Sequence, residues 1–121
     1  MLNIADILAE AREYLEKHRW TRYQLYDARE RSVCSMGAIC YSQRWYSGSA
    51  RARHSAEIEA AAGALVQALG KKPVSGLNPS NIVIEFNDED AKDKQEVLDV
   101  FAKAEKIART GFDPDKGIPI P

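Results

Sequence analysis

The strongest constraint on this chain is the run Ser32-Val33-Cys34-Ser35-Met36-Gly37-Ala38-Ile39-Cys40. Nearly every side chain in it is small or apolar, so the run belongs inside the protein. With Arg31 before it, the run reads as the capped start of an apolar helix. The helix opens at Ser32 or Val33, with Cys34 in its first turn and Met36, Ile39 and Cys40 along one side. A glycine inside a helix costs roughly 1 kcal/mol against alanine, so Gly37 predicts the close approach of another backbone. A helix N-terminus offers unpaired N–H groups and partial positive charge, which makes Cys34 a candidate thiolate.

The rest of the chain is dominated by helical spacing. Asn3 is placed to cap a first helix that ends near Lys17 or His18, with Ile4, Ile7, Leu8, Ala11 and Leu15 on its buried stripe. Trp20 to Arg31 has no clean period and predicts a packed loop or short hairpin. Tyr46-Ser47-Gly48-Ser49 ends the second helix. A third follows over Ala50–Leu69, with Gly70 as its stop. Its alanines Ala60, Ala61, Ala62 and Ala64 suit close helix contact, either internally or across a homodimer. Asn78-Pro79 has the form of a cap followed by proline at the first helical position. Ile82–Phe86 is β-branched enough for a strand, but the cap favours a short helix. Asp90 and Asp93 cap the last helix, which buries Val97, Leu98, Phe101, Ala104 and Ala108 and closes at Thr110-Gly111. The expected fold is therefore a compact, mostly all-α bundle of four to five helices over residues 1–111, with or without one short strand pair. Residues 112–121, rich in proline and glycine, form an extended tail.

Composition narrows the function classes. Charged residues make up 29% of the chain and apolar ones 45%, the balance of a folded globular protein. There is no run near the ~20 apolar residues that span a bilayer and no signal-peptide pattern at the start, so a cytoplasmic protein without membrane contact is expected. Cys34 and Cys40, six apart on one helix, are turned about 120° from each other and do not favour a disulfide. The net charge of −1 conceals two blocks: seven arginines against Asp27 and Glu30 over residues 19–53, and seven acids against Lys92 and Lys94 over residues 85–99. They read as solvated or facing surfaces rather than as a nucleic-acid footprint.

The motifs follow a familiar order: His18-Arg19-Trp20-Thr21, then Val33–Ile39, an alanine-rich helix, Ile82-Val83-Ile84-Glu85-Phe86-Asn87-Asp88, and Glu96-Val97-Leu98-Asp99. Over about residues 5–108 this resembles a family of small uncharacterised domains from actinobacteria and their bacteriophages. That family carries a Trp…Cys-Ala-x-Gly-Ala-Leu…aromatic-Asn-Asp pattern. Arg19 stands where the family has glycine, and Phe86 where it has tryptophan. The resemblance implies a bacterial or phage protein of unassigned activity and marks Trp20, Cys34, Gly37, Asn87 and Asp88.

Three functions compete. As a nucleophile, Cys34 needs a base, for which His18 and His54 are the only histidines, with Asn87 or Asp88 to orient it. Both histidines read as surface residues, so a packed cysteine and no catalytic residue is the better reading. No Cys-x-x-Cys or His-x-x-x-His occurs, and Asn87-Asp88-Glu89-Asp90 with Asp93 lacks the spacing of a calcium loop, so no metal and no cofactor is expected. Arg44, Arg51 and Arg53 with Trp45 and Tyr46 form a basic, aromatic stretch. It suits a host or phage protein as partner first, and nucleic acid second. Asn87-Asp88 reads best as a buried polar lock that satisfies helix starts, including the one at Cys34, with Arg31 paired to Asp88.

Overall fold

The computed structural model describes residues 3–110 and the backbone of Phe112–Asp113 and Ile118–Pro119. Its helices are α1 (Ile4–Lys17), α2 (Ser35–Ser42), α3 (Gly48–Arg53), α4 (Ser55–Ala68), α5 (Pro79–Glu85) and α6 (Lys94–Arg109). A π-helical turn, Phe86–Asp90, continues α5. Three two-residue strands, β1 (Arg19–Trp20), β2 (Tyr26–Asp27) and β3 (Ser32–Val33), make a small sheet in the order β1-β3-β2. β3 pairs parallel with β1 and antiparallel with β2. In the tail, β4 (Phe112–Asp113) pairs antiparallel with β5 (Ile118–Pro119), and the other tail residues lie outside the described ones.

The fold is mostly helical, as its spacing predicts. Asn3 caps α1 through its Oδ1, which accepts from the N–H groups of Ala5 and Asp6. α1 buries Ile7, Leu8, Ala11 and Leu15 of its expected stripe, while Ile4 is half-buried at its start. It packs on α6 and α2, while α4 packs on α6 and α5. Phe101, fully buried on α6, fills the centre of this arrangement. The alanine face of α4 is consumed inside the molecule: Ala60, Ala61, Ala62 and Ala64 are all buried. The feature that suggested a homodimer is thus used for internal packing.

The structure corrects three boundaries. Ser32 and Val33 do not open α2; they form the central strand of the sheet, and Cys34 is the N-cap rather than a residue of the first turn. The predicted Ala50–Leu69 helix is two helices that break at His54. Asp93 caps α6 by accepting from the Glu96 N–H, but Asp90 belongs to the π turn.

α2 also ends earlier than expected. The Trp45 N–H donates to the Cys40 carbonyl and the Arg44 N–H to that of Tyr41, with Arg44 itself at φ +64°. This is a Schellman ending, in which glycine usually takes the left-handed position. α4 ends the same way with glycine there: Lys71 donates to Val66, Gly70 to Gln67, and Gly70 has φ +73°. The two ends share a geometry, but only the first holds a charged side chain in it.

Gly37 meets the backbone its position predicted. A Cβ there would fall 1.9 Å from the carbonyl oxygen of Leu25, in the loop between β1 and β2. That same oxygen accepts from the Cys34 N–H at 3.3 Å, so the loop is pinned where a side chain would displace it. Gly37→Ala should destabilise the protein by at least about 1–3 kcal/mol, the usual cost of overpacking, measured by urea unfolding. An unchanged midpoint would show that the loop does not rest on α2.

Candidate functional site

Two constellations emerge around α2, one polar and buried, the other an open cleft. The first is built on Asn87, which the π turn carries into the core beside Phe86. Its Oδ1 accepts from Ser35 Oγ at 2.7 Å, from the Ser35 N–H at 3.0 Å and from Trp20 Nε1 at 2.7 Å. Its Nδ2 donates to the Thr21 carbonyl and to Asp88 Oδ1. One side chain therefore joins β1, the start of α2 and the end of α5. Asp88 Oδ1 also accepts from the N–H of Tyr23, whose φ of +69° needs such an anchor. Arg22 stacks over the Trp20 ring at 4.3 Å and donates to the Ala91 carbonyl, closing the loop over the indole.

This cluster unites Trp20, Cys34, Asn87 and Asp88, and Gly37 lies one turn into the same helix. Arg31 is the exception: it does not reach Asp88, because it lies exposed at the far end of β3 with φ +52°.

The geometry gives Cys34 the role of N-cap of α2. Its Sγ accepts from the Gly37 N–H at 3.3 Å. Burial pushes the Cys34 thiol up, against the opposing N–H groups of Gly37 and Met36, and the charge on Asp88 adds to the rise. Desolvation outweighs the helix start that favoured a thiolate. Neither histidine serves as its base. His18 is stacked on Tyr14 and donates from Nδ1 to the Tyr14 carbonyl, while His54 is stacked on Trp45 and bonded to Glu57. Cys40 is also free and buried, and burial lifts it to about 11.

The second constellation is a cleft of about 370 Å³. Met36 and Cys40 of α2, Leu25, Ile58 of α4 and Ile84 of α5 give it an apolar lining, and α3 contributes Gly48, Arg51 and Ala52 along its rim. Glu59 also lines it, but its carboxylate is engaged by the Ser80 N–H at 3.0 Å and Ser80 Oγ at 2.7 Å. That contact caps α5; Asn78 holds the cap position but its side chain makes no cap bond. The negative charge inside the cleft is thus tied down, while α3 has no acidic residue.

The basic stretch divides around this rim. Arg44 and Arg53 are exposed, and Arg51 donates from Nη1 to the Tyr46 carbonyl at 2.6 Å. Tyr46 is 55% exposed, its ring tilted on Tyr41. Trp45 is not part of the surface: it is buried beneath His54, because the Schellman turn directs the chain back onto the core. No ion pair joins the arginine block to the acidic block among the described residues; they meet instead through the Arg22–Ala91 and Tyr23–Asp88 hydrogen bonds.

Sequence spacing missed Leu25, Glu59, Ser80 and Ile84 as cleft residues. No local signal marks them, since the loop, α4 and α5 meet only in the tertiary fold. Among the described residues, no helix is long and apolar enough to cross a membrane, and no group of His, Cys, Asp and Glu is arranged to hold a metal.

Residues 1–107 match the family of unknown function DUF6197. The chain belongs to that family. No curated protein and no solved structure is detectably similar to it. The match spans all six helices except the last residues of α6, so both constellations fall inside the family domain.

Asn87→Ala should cost about 3 kcal/mol or more, because it leaves several buried donors without an acceptor, whereas Asp88→Ala should cost about 1–3 kcal/mol. Equal, small shifts in thermal unfolding would argue against Asn87 as the joint. Both thiols titrate above the ordinary value of 9.0 in the folded protein. Their contribution to stability is therefore intact below that pH and declines as pH rises through 9.0 towards about 11. At neutral pH, iodoacetamide should label neither cysteine until denaturant is added. Fast labelling of native Cys34 would restore it as a nucleophile.

Proposed function

We propose that this protein is a non-catalytic binding protein that takes an acidic, apolar-anchored segment of a partner protein in the α2–α3–α5 cleft. The observation that carries this reading is the pairing of an apolar cleft with a basic rim whose own carboxylate is engaged. Met36, Ile58 and Ile84 offer a place for an apolar side chain, Arg51 lines the rim, and Arg44 and Arg53 are exposed in the turn before α3 and on α3 itself. An apolar centre with arginine and tyrosine around it is the composition of protein interfaces.

A second support is backbone strain. Arg44 occupies a left-handed position that α4 fills with glycine, and such outliers persist at an energetic cost of order 1–3 kcal/mol. Retaining a cation there fits a role in contact rather than in folding. The resemblance to actinobacterial and phage domains makes a host or phage protein the expected partner, met in the cytoplasm. Nucleic acid is the alternative, favoured by the exposed arginines alone. It is disfavoured by the burial of Trp45, which leaves Tyr46 as the exposed ring of the stretch that could stack on bases. The cysteine-enzyme reading lacks a base and a thiolate.

A photo-reactive amino acid at Ala52, on the cleft rim, should give a discrete protein adduct in bacterial cells that survives nuclease. Adding Ile84→Asp or the Arg44→Gly/Arg53→Ala pair should reduce that adduct at least fivefold. Arg44→Gly alone should raise the melting temperature, since glycine suits the turn. An adduct unaffected by these changes, one removed by nuclease, or none at all would overturn the proposal.

A further inference from the structure

We propose that a second site, a basic depression at the end of α1, binds a small molecule through a diphosphate or triphosphate group. Lys17, His18, Arg19, Arg29, Glu30 and Arg31 line a concavity of about 510 Å³, on residues separate from those of the cleft. Four cations face one carboxylate there, and no apolar side chain lines it. Its volume is that of a small-molecule site, and its chemistry asks for a ligand with several negative charges.

The backbone fixes the cations in place. Parallel pairing of β1 with β3 sets Arg19 beside the Arg31–Ser32 step, and the Arg19 N–H donates to the Arg31 carbonyl. Asp27 Oδ1 accepts from the Arg29 N–H and its Oδ2 from Gln24 Nε2, which secures the turn and keeps that carboxylate occupied. The C-terminus of α1 would repel an anion through its free carbonyls. Lys94 Nζ cancels that effect by donating to the carbonyls of Glu16 and His18.

The cations are also available. Lys17 pairs with Glu13 and Arg19 with Glu30, but both pairs are well exposed, and such pairs are worth little to the fold. Arg29 and Arg31 have no carboxylate partner among the described residues. Arg31 carries φ +52°, a second arginine in the conformation that suits glycine. Arginine forks bind phosphate oxygens in pairs, so two or more phosphates in a chain would engage the cluster better than one. Cations gathered around one shallow concavity fit a compact ligand; a nucleic-acid strand would need cations in a continuous track.

Calorimetric titration with inorganic pyrophosphate, ATP and a ten-nucleotide single strand, each at low and moderate salt, tests this. Saturable binding of pyrophosphate at one site is expected, stronger than that of orthophosphate titrated in the same way. Equal affinity for ATP would place recognition in the phosphate chain alone, and tighter ATP binding would identify a nucleotide; either supports the site. Arg29→Ala and Arg31→Gly should each weaken binding about tenfold. Arg31→Gly should leave the melting temperature unchanged or higher, separating the site from folding. Absence of saturable pyrophosphate binding, equal binding by the variants, or preferential and steeply salt-dependent binding of the oligonucleotide would overturn the proposal.

Discussion

The structure depends on one buried amide. Asn87 is nearly inaccessible and carries a polar group that water cannot reach, a situation tolerated only when its hydrogen bonds are made within the protein. Here they are made to Trp20, Thr21, Ser35 and Asp88, residues drawn from three separate parts of the chain. The amide thereby ties the β1–β2 loop, the start of α2 and the end of α5 to one point. A buried network of this kind specifies a geometry more sharply than apolar packing does, because its partners must meet at fixed distances and angles.

Both proposed sites follow from that joint. Once the loop is held by Asn87 and Asp88, the Leu25 carbonyl lies on Gly37 and Leu25 forms one wall of the cleft. After β2 the chain turns through Arg29 and Arg31, which line the basic depression, before entering β3. Arg31 and Arg44 are also linked by a shared physical feature. Each places a cation at a left-handed backbone position, Arg31 in the lining of the basic depression and Arg44 in the turn that ends α2. Local strain of this sort is paid from the stability of the surrounding helices and tends to accompany function.

Local chemistry made much of the helical architecture legible. α1 and α6 have caps and apolar stripes within a few residues of one another, so their hydrogen bonds are satisfied by neighbours in sequence. The close approach at Gly37 was readable for the same reason: an unfavourable helix residue in an apolar run calls for a contact. The break at His54 was not. Ala50–Leu69 is rich in helix formers, and the chain leaves the helical conformation at His54, where the imidazole stacks on the Trp45 ring. Likewise the acidic run after Phe86 carries no sign of a π turn, and Ser32-Val33 looks like the start of a helix until two short strands pair with it.

By itself, the sequence determined a mostly helical domain, the caps at Asn3 and Asp93, the polar character of the Asn87-Asp88 joint and the need for glycine at position 37. These rest on interactions a few residues long or on the chemistry of one side chain. Tertiary structure decided the partners. It gave Asp88 to Tyr23 rather than Arg31, and Glu59 to the start of α5 in place of Asn78. It also buried Trp45, raised the thiols through desolvation, and assembled the cleft and the basic depression. Those outcomes depend on which distant surfaces meet and how much water is excluded between them, and neither quantity is written in local spacing.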